Sequence, residues 1–205
     1  MKKTKKAQTK KKLGLDQAKR TARRQPERSR SWRELGELYL KDAQYDEAIK
    51  SFERFLDIDP DNADVFSLLG HAAYRAGLFE RAKENFKKAI AADAEHGYSY
   101  NYLSVLCGTE SEYEEALKYA EKAVDSSPDK APHHISLGNA YGALHRYQEA
   151  KDVYLTAIRI DPGHKAYNNL GNVYRALGDL DSAIDCFDLA VSYSKDFATG
   201  FSNKI

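Results

Sequence analysis

Residues Tyr167 to Ala190 read YNNLGNVYRALGDLDSAIDCFDLA, two apolar-periodic segments either side of a break at Gly178-Asp179. In the first, Tyr167, Leu170, Gly171 and Tyr174 stand at i, i+3, i+4 and i+7, predicting a helix over about 166–177. In the second, Ala183, Phe187 and Ala190 predict another over about 181–193. Small residues stand among large ones, Gly171 opposite Ala183 with Tyr174 and Phe187 beside them, as two closely packed antiparallel helices require. Such a hairpin keeps one apolar face uncovered and needs a neighbour.

The chain supplies neighbours by repetition. Leu35, Leu69, Leu103, Leu137 and Leu170 follow one another at 34, 34, 34 and 33 residues, and Ala48, Ala82, Ala116, Ala150 and Ala183 keep the same spacings. The residue after each leucine is small: Gly36, Gly70, Ser104, Gly138, Gly171. Pro60, Pro128 and Pro162 stand where three of the second helices must stop.

Trp32, Leu35-Gly36, Tyr39, Ala48, Phe52 and Pro60, and again His134, Leu137-Gly138, Tyr141, Ala150, Tyr154, Ala157 and Pro162, resemble the tetratricopeptide repeat (TPR) family. The resemblance implies an all-α fold, a right-handed superhelical α-α solenoid of five helix hairpins over 29–62, 63–96, 97–130, 131–163 and 164–197. Phe197, Phe201 and Ile205 recur at helical spacing and predict a short capping helix over 198–205. The third hairpin has its glycine early, at Gly108, so its first helix is expected to end a turn sooner. Phe55, Ala73, Cys107 and Ala120 depart from the family pattern and point to repacked contacts between the second and third hairpins.

Formal net charge is +1, but residues 1–30 hold 13 Lys or Arg against Asp16 and Glu27, while the remainder holds 19 basic and 29 acidic residues. Residues 1–28 carry few apolar groups and much like charge, which predicts a disordered tail. Lys10, Lys11, Lys12, Lys19, Arg20, Arg23 and Arg24 offer an electrostatic tether to nucleic acid or an anionic membrane surface. The tail holds no aromatic residue, so base stacking is not available to it. Cys107 and Cys186 lie inside predicted helices and read as packing residues, in keeping with a cytoplasmic setting. No apolar run reaches the roughly 18 residues of a membrane span. None of the six histidines has metal-site spacing and no phosphate-binding glycine loop occurs. No enzyme, cofactor or metal is expected.

Hairpins of the resembled family curve so that their first helices line a concave groove. Counting from each Leu-Gly places Arg33, Glu34, Glu37 and Lys41 there, then Ser67, Leu68, His71, Tyr74 and Arg75, then Tyr98, Asn101, Tyr102 and Val105, then Ile135, Ser136 and Asn139, with Lys165, Asn168, Asn169, Asn172 and Arg175 in the last hairpin. His71, Tyr74, Tyr98 and Tyr102 form an aromatic cluster suited to anchoring a partner. The asparagines form an amide row, and the resemblance implies that such rows hold extended peptides. Chaperone-binding members clamp a C-terminal carboxylate with lysines, asparagines and an arginine; here Asn139 and Asn169 match, but Ile135, Thr199 and Asn203 fill basic places. The expectation is an interaction scaffold for an extended or helical protein segment, without the chaperone clamp. Self-association through the C-terminal end is a further expectation.

Overall fold

The computed structural model of the chain describes the backbone of residues 2–202 and the side chains of residues 13–194. All regular structure among the described residues is helical: α1 (Lys2–Arg24), α2 (Ser29–Lys41), α3 (Tyr45–Leu56), α4 (Ala63–Arg75), α5 (Phe79–Ala92), α6 (Gly97–Thr109), α7 (Tyr113–Ser126), α8 (Ala131–Ala143), α9 (Tyr147–Ile160), α10 (His164–Leu177) and α11 (Leu180–Ser202). From α2 onward the helices pack as successive pairs, α2 on α3 through α10 on α11. They gather into two compact units, Met1–His96 and Gly97–Ile205, divided between the second and third hairpins.

Every hairpin turns the same way. Ala43, Gly77, Ser111, His145 and Gly178, again 34 or 33 residues apart, adopt φ of 55°, 78°, 63°, 58° and 84°. The next residue's N–H then reaches back five places, Gln44 to Tyr39, Leu78 to Ala73, Glu112 to Cys107, Arg146 to Tyr141 and Asp179 to Tyr174. That is the Schellman closure, in which a left-handed residue lets the chain satisfy its last carbonyls. Glycine serves this position twice. The expectation that α6 ends early is overturned: α6 runs through Gly108 to Thr109, because Ser111, not Gly108, makes the turn.

Within each hairpin the decisive contact joins the small residue after the leucine to an aromatic ring on the second helix. A Cβ on Gly36 would lie 2.5 Å from Phe52, on Gly70 2.9 Å from Phe86, on Gly138 2.6 Å from Tyr154 and on Gly171 2.7 Å from Phe187. The Phe187 ring is thus what Gly171 makes room for, beside it as the spacing predicts. In the third hairpin both members change together, Ser104 with Ala120, and the added hydroxymethyl is matched by the missing ring. Around these seams Ala48, Ala82, Ala150, Phe52 and Phe86 are fully buried.

The N-terminal stretch expected to be disordered is helical. Leu15 and Ala22, seven residues and so about two turns apart, are buried, with 8% and 0% exposure, and α1 packs on α2. Lysine, arginine, glutamine and alanine are good helix formers, so one apolar stripe suffices to dock the segment. Pro26 stands 34 residues before Pro60, and Leu15 and Ala22 stand 34 before Ile49 and Leu56. The indole Nε1 of Trp32 donates to the Pro26 carbonyl at 2.9 Å, as His134 Nε2 meets that of Pro128 at 2.8 Å. Thus α1 enters α2 as a second helix of this repeat enters the next first helix.

At the other end the expected separate cap is also corrected. Residues 198–202 continue α11 without a break, while residues 203–205 and the side chains of Phe197 and Phe201 lie outside the described residues. Ile184, at the register of the buried Ile49, is 58% exposed, and Leu180 and Val191 are exposed beside it.

Candidate functional site

In Met1–His96 the first helices present charge that is already paired. Arg33 bridges Glu37 at 3.0 Å and Asp64 at 3.5 Å, joining α2 to α4, and Arg30 pairs with Glu34. Of the expected partner-binding residues here, His71 and Tyr74 are half-buried, and Tyr74 meets Phe79 with ring centroids 5.8 Å apart. Burial, and then the Arg75 charge, hold the His71 pKa below its ordinary value. Arg75 is exposed but committed: its Nη2 donates to the Tyr45 hydroxyl at 2.7 Å and its guanidinium lies 5.2 Å from that ring centroid. It braces α4 on α3 while remaining exposed.

The same unit holds a hollow of about 930 Å³ lined by residues of α1 to α5. Four of its cations are matched by carboxylates: Lys50 with Glu47, Arg54 with Asp57, Arg81 with Glu53 and Lys88 with Glu84. Lys19 lies over the Tyr39 ring, 5.2 Å from its centroid. Arg20, Arg23 and Arg24 are exposed, whereas the side chains of Lys10, Lys11 and Lys12 lie outside the described residues.

Gly97–Ile205 is different in kind. Helices α6 (GYSYNYLSVLCGT) and α8 (APHHISLGNAYGA) contain no Asp, Glu, Lys or Arg. On α6 the Tyr98 and Tyr102 rings meet at 4.9 Å, and the Tyr98 hydroxyl lies 3.3 Å from that of Tyr102. Tyr98 is 43% exposed and Tyr102 half-buried. Asn101 does not reach the open face: it is buried, and its Oδ1 meets no donor. The cause is α6 itself, which is buried around most of its circumference, from Gly97 to Cys107.

The amide row is assembled across three helices. Asn139 Oδ1, on α8, accepts from the Tyr154 hydroxyl of α9 at 2.6 Å and from Asn169 Nδ2 of α10 at 2.8 Å. One carbonyl oxygen with two donors is fixed in direction, so Asn139 and Asn169 are pre-positioned and not mobile side chains. Burial pushes the Tyr154 phenol well above its ordinary pKa, so it remains a donor at neutral pH. Asn172 accepts from Arg175 at 3.0 Å, and Asn168 and Lys165 are exposed on the same helix. Tyr154 was not singled out as a site residue from sequence. The signal was there: a hydroxyl added at a position held by Phe52, Phe86 and Phe187 in other hairpins.

Cys107 and Cys186 are buried thiols. Among the described residues no group of three or more His, Cys, Asp or Glu gathers to hold a metal, and no described helix is long and apolar enough to cross a membrane.

Models of the tetratricopeptide repeat match residues 67–131, 134–164 and 164–197, and a further TPR repeat model matches 36–77. The chain belongs to the tetratricopeptide repeat family. Its TPR architecture, an all-α solenoid, is shared with the crystal structure of MamA, at TM-score 0.68 and 25% identity over 80% of this chain and 97% of that one. YrrB, described as a TPR protein with an unusual peptide-binding site, aligns at TM-score 0.66 and 19% identity over 91% and 97%. Among curated proteins, the wheat (Triticum aestivum) Hsp70-Hsp90 organizing protein is 33% identical over 103 residues, 50% of this chain and 18% of that protein. The TPR chain thus spans about a fifth of the length of curated relatives it matches.

Proposed function

We propose that this TPR chain is a non-catalytic interaction scaffold whose first-helix face in Gly97–Ile205 holds an extended or helical segment of another protein. The observation that carries the reading is the doubly bonded Asn139 carbonyl, which locks an amide row across α8, α9 and α10. Locked amides lose little entropy on binding and can pair with any peptide backbone. Tyr98 and Tyr102 add rigid aromatic area beside them. The relative named as an Hsp70-Hsp90 organizing protein supports a protein partner, while Ile135, in place of a clamp lysine, argues against a chaperone C-terminus as that partner. The test is capture of partners by the immobilised full chain, compared with Tyr102→Ala and Asn169→Ala. Each substitution costs about 1–3 kcal/mol of binding, with helicity unchanged by circular dichroism; undiminished capture by both overturns the assignment.

A second reading rests on Arg20, Arg23 and Arg24, exposed on α1. They supply a tether to nucleic acid or an anionic membrane surface, and the binding weakens as salt rises. Loss of such binding on deleting residues 1–28 supports it; binding unchanged by that deletion dismisses it.

A further inference from the structure

Among α6, α7 and α8 lies a hollow of about 250 Å³, lined among others by Val105, Gly108, Tyr113, Ala116, Asn139 and Ala140. It exists because of what is missing. Gly108 holds the register position of Leu40, Tyr74 and Arg175 in three other hairpins and of Gly142 in the fourth, and a Cβ placed on it meets no heavy atom within 4 Å. Apart from Tyr113 the residues around it are small, and none of those lining it is charged. Asn139 stands at its edge with its carbonyl oxygen occupied, so the Nδ2 donors lie outside that network.

We propose that this hollow is a specificity pocket for one bulky uncharged apolar side chain, aliphatic or aromatic, of the bound segment, with Asn139 Nδ2 donating to that segment's backbone. A charged side chain would be desolvated there with no counter-ion. Ser104, Thr109, Tyr113 and Ser136 also line it, but the Thr109 hydroxyl donates to the Leu106 carbonyl, the Tyr113 hydroxyl lies against Ser111 Oγ and the Asn139 carbonyl is doubly occupied. Water, which needs several polar partners, therefore gains less there than an apolar side chain set against Val105, Ala116, Ala140 and Ala143. The volume falls below the roughly 300 Å³ at which small-molecule sites begin, so a side chain suits it better than a free cofactor. The pocket rests on the first-helix face being the binding face, and it adds the chemistry of the segment: uncharged around one large apolar residue.

The test uses the full chain and blocked single amino acids as probes, followed by methyl and amide NMR. N-acetyl-leucinamide and N-acetyl-phenylalaninamide shift the Val105, Ala116 and Ala140 methyls saturably, and N-acetyl-lysinamide and the amide of N-acetyl-glutamate bind at least about tenfold more weakly. Gly108→Leu fills the hollow without meeting a neighbour at its Cβ, and leucine is the better helix former. It abolishes the shifts at unchanged helicity, while Gly142→Leu, at the same register one hairpin on and outside the hollow, keeps them. Equal shifts by the charged probes, no shifts at all, or shifts that persist in Gly108→Leu overturn the pocket. Partner capture separates the two levels. If Tyr102→Ala abolishes capture and Gly108→Leu does not, the pocket falls and the face stands; if neither does, both fall.

Discussion

At Ala43 the backbone holds a residue with a Cβ at φ 55°, where an L side chain crowds the following carbonyl. Its register partners Gly77 and Gly178 do without that crowding. Ala43→Gly therefore stabilises the chain by about 0.5–1 kcal/mol once the greater freedom of unfolded glycine is deducted. Denaturant melts read this as a higher midpoint at constant slope. Tyr154→Phe tests the other residue-scale device. The ring stays against Gly138, only the 2.6 Å bond to Asn139 goes, and the cost is about 0.5–1.5 kcal/mol, where Tyr154→Ala costs about 3–5. The leucine and alanine landmarks were legible because each must fill one seam per hairpin. Ala43 and Ser111 were not, since neither is a residue type that announces a left-handed turn, and His145 does so only weakly. Asn101 was misplaced for a related reason: register fixes a position along α6, but the depth of burial there depends on what surrounds the helix.

Between elements, the account depends on backbones approaching where glycine meets a ring. Gly138→Ala puts a methyl 2.6 Å from Tyr154 and costs about 1–3 kcal/mol of stability. The Ser104 and Ala120 pairing says how that cost is relieved. Gly138→Ser combined with Tyr154→Ala loses less than the sum of the two single changes, a coupling that a double-mutant cycle of melts measures. Equal additivity would mean the two positions do not share one space. Helix α1 belongs to the same scale. Its lysines and arginines disguised a segment whose Pro26, Leu15 and Ala22 are in register with the first hairpin, so composition argued for disorder where spacing argued for packing. Its continuation through Gly14 costs about 0.5–1 kcal/mol relative to alanine, and with nothing within 4 Å of an added Cβ, Gly14→Ala is sterically free to recover it.

Over the whole molecule, each unit carries one histidine whose titration bears on its stability, His71 in Met1–His96 and His133 in Gly97–Ile205. Acid stability falls to His71 and His133, both held below the ordinary histidine pKa of 6.5, in each case first by burial. A depressed histidine pKa means the folded state resists protonation, so its contribution is complete above the ordinary 6.5 and is lost as pH falls from there toward the lower folded-state value. The melting temperature therefore drops on acidification through this window, and less steeply in His133→Asn; an unchanged slope would remove His133 from the account. Binding is the other whole-molecule property. The most direct test places a photo-crosslinking benzoyl-phenylalanine at Tyr102 on α6 or at the exposed Lys118 on α7, each in the full chain exposed to its native lysate. The account predicts partner adducts from position 102 that survive raised salt, because α6 and α8 carry no charge, and none from 118. Adducts from 118 alone, or equally from both positions, would contradict it.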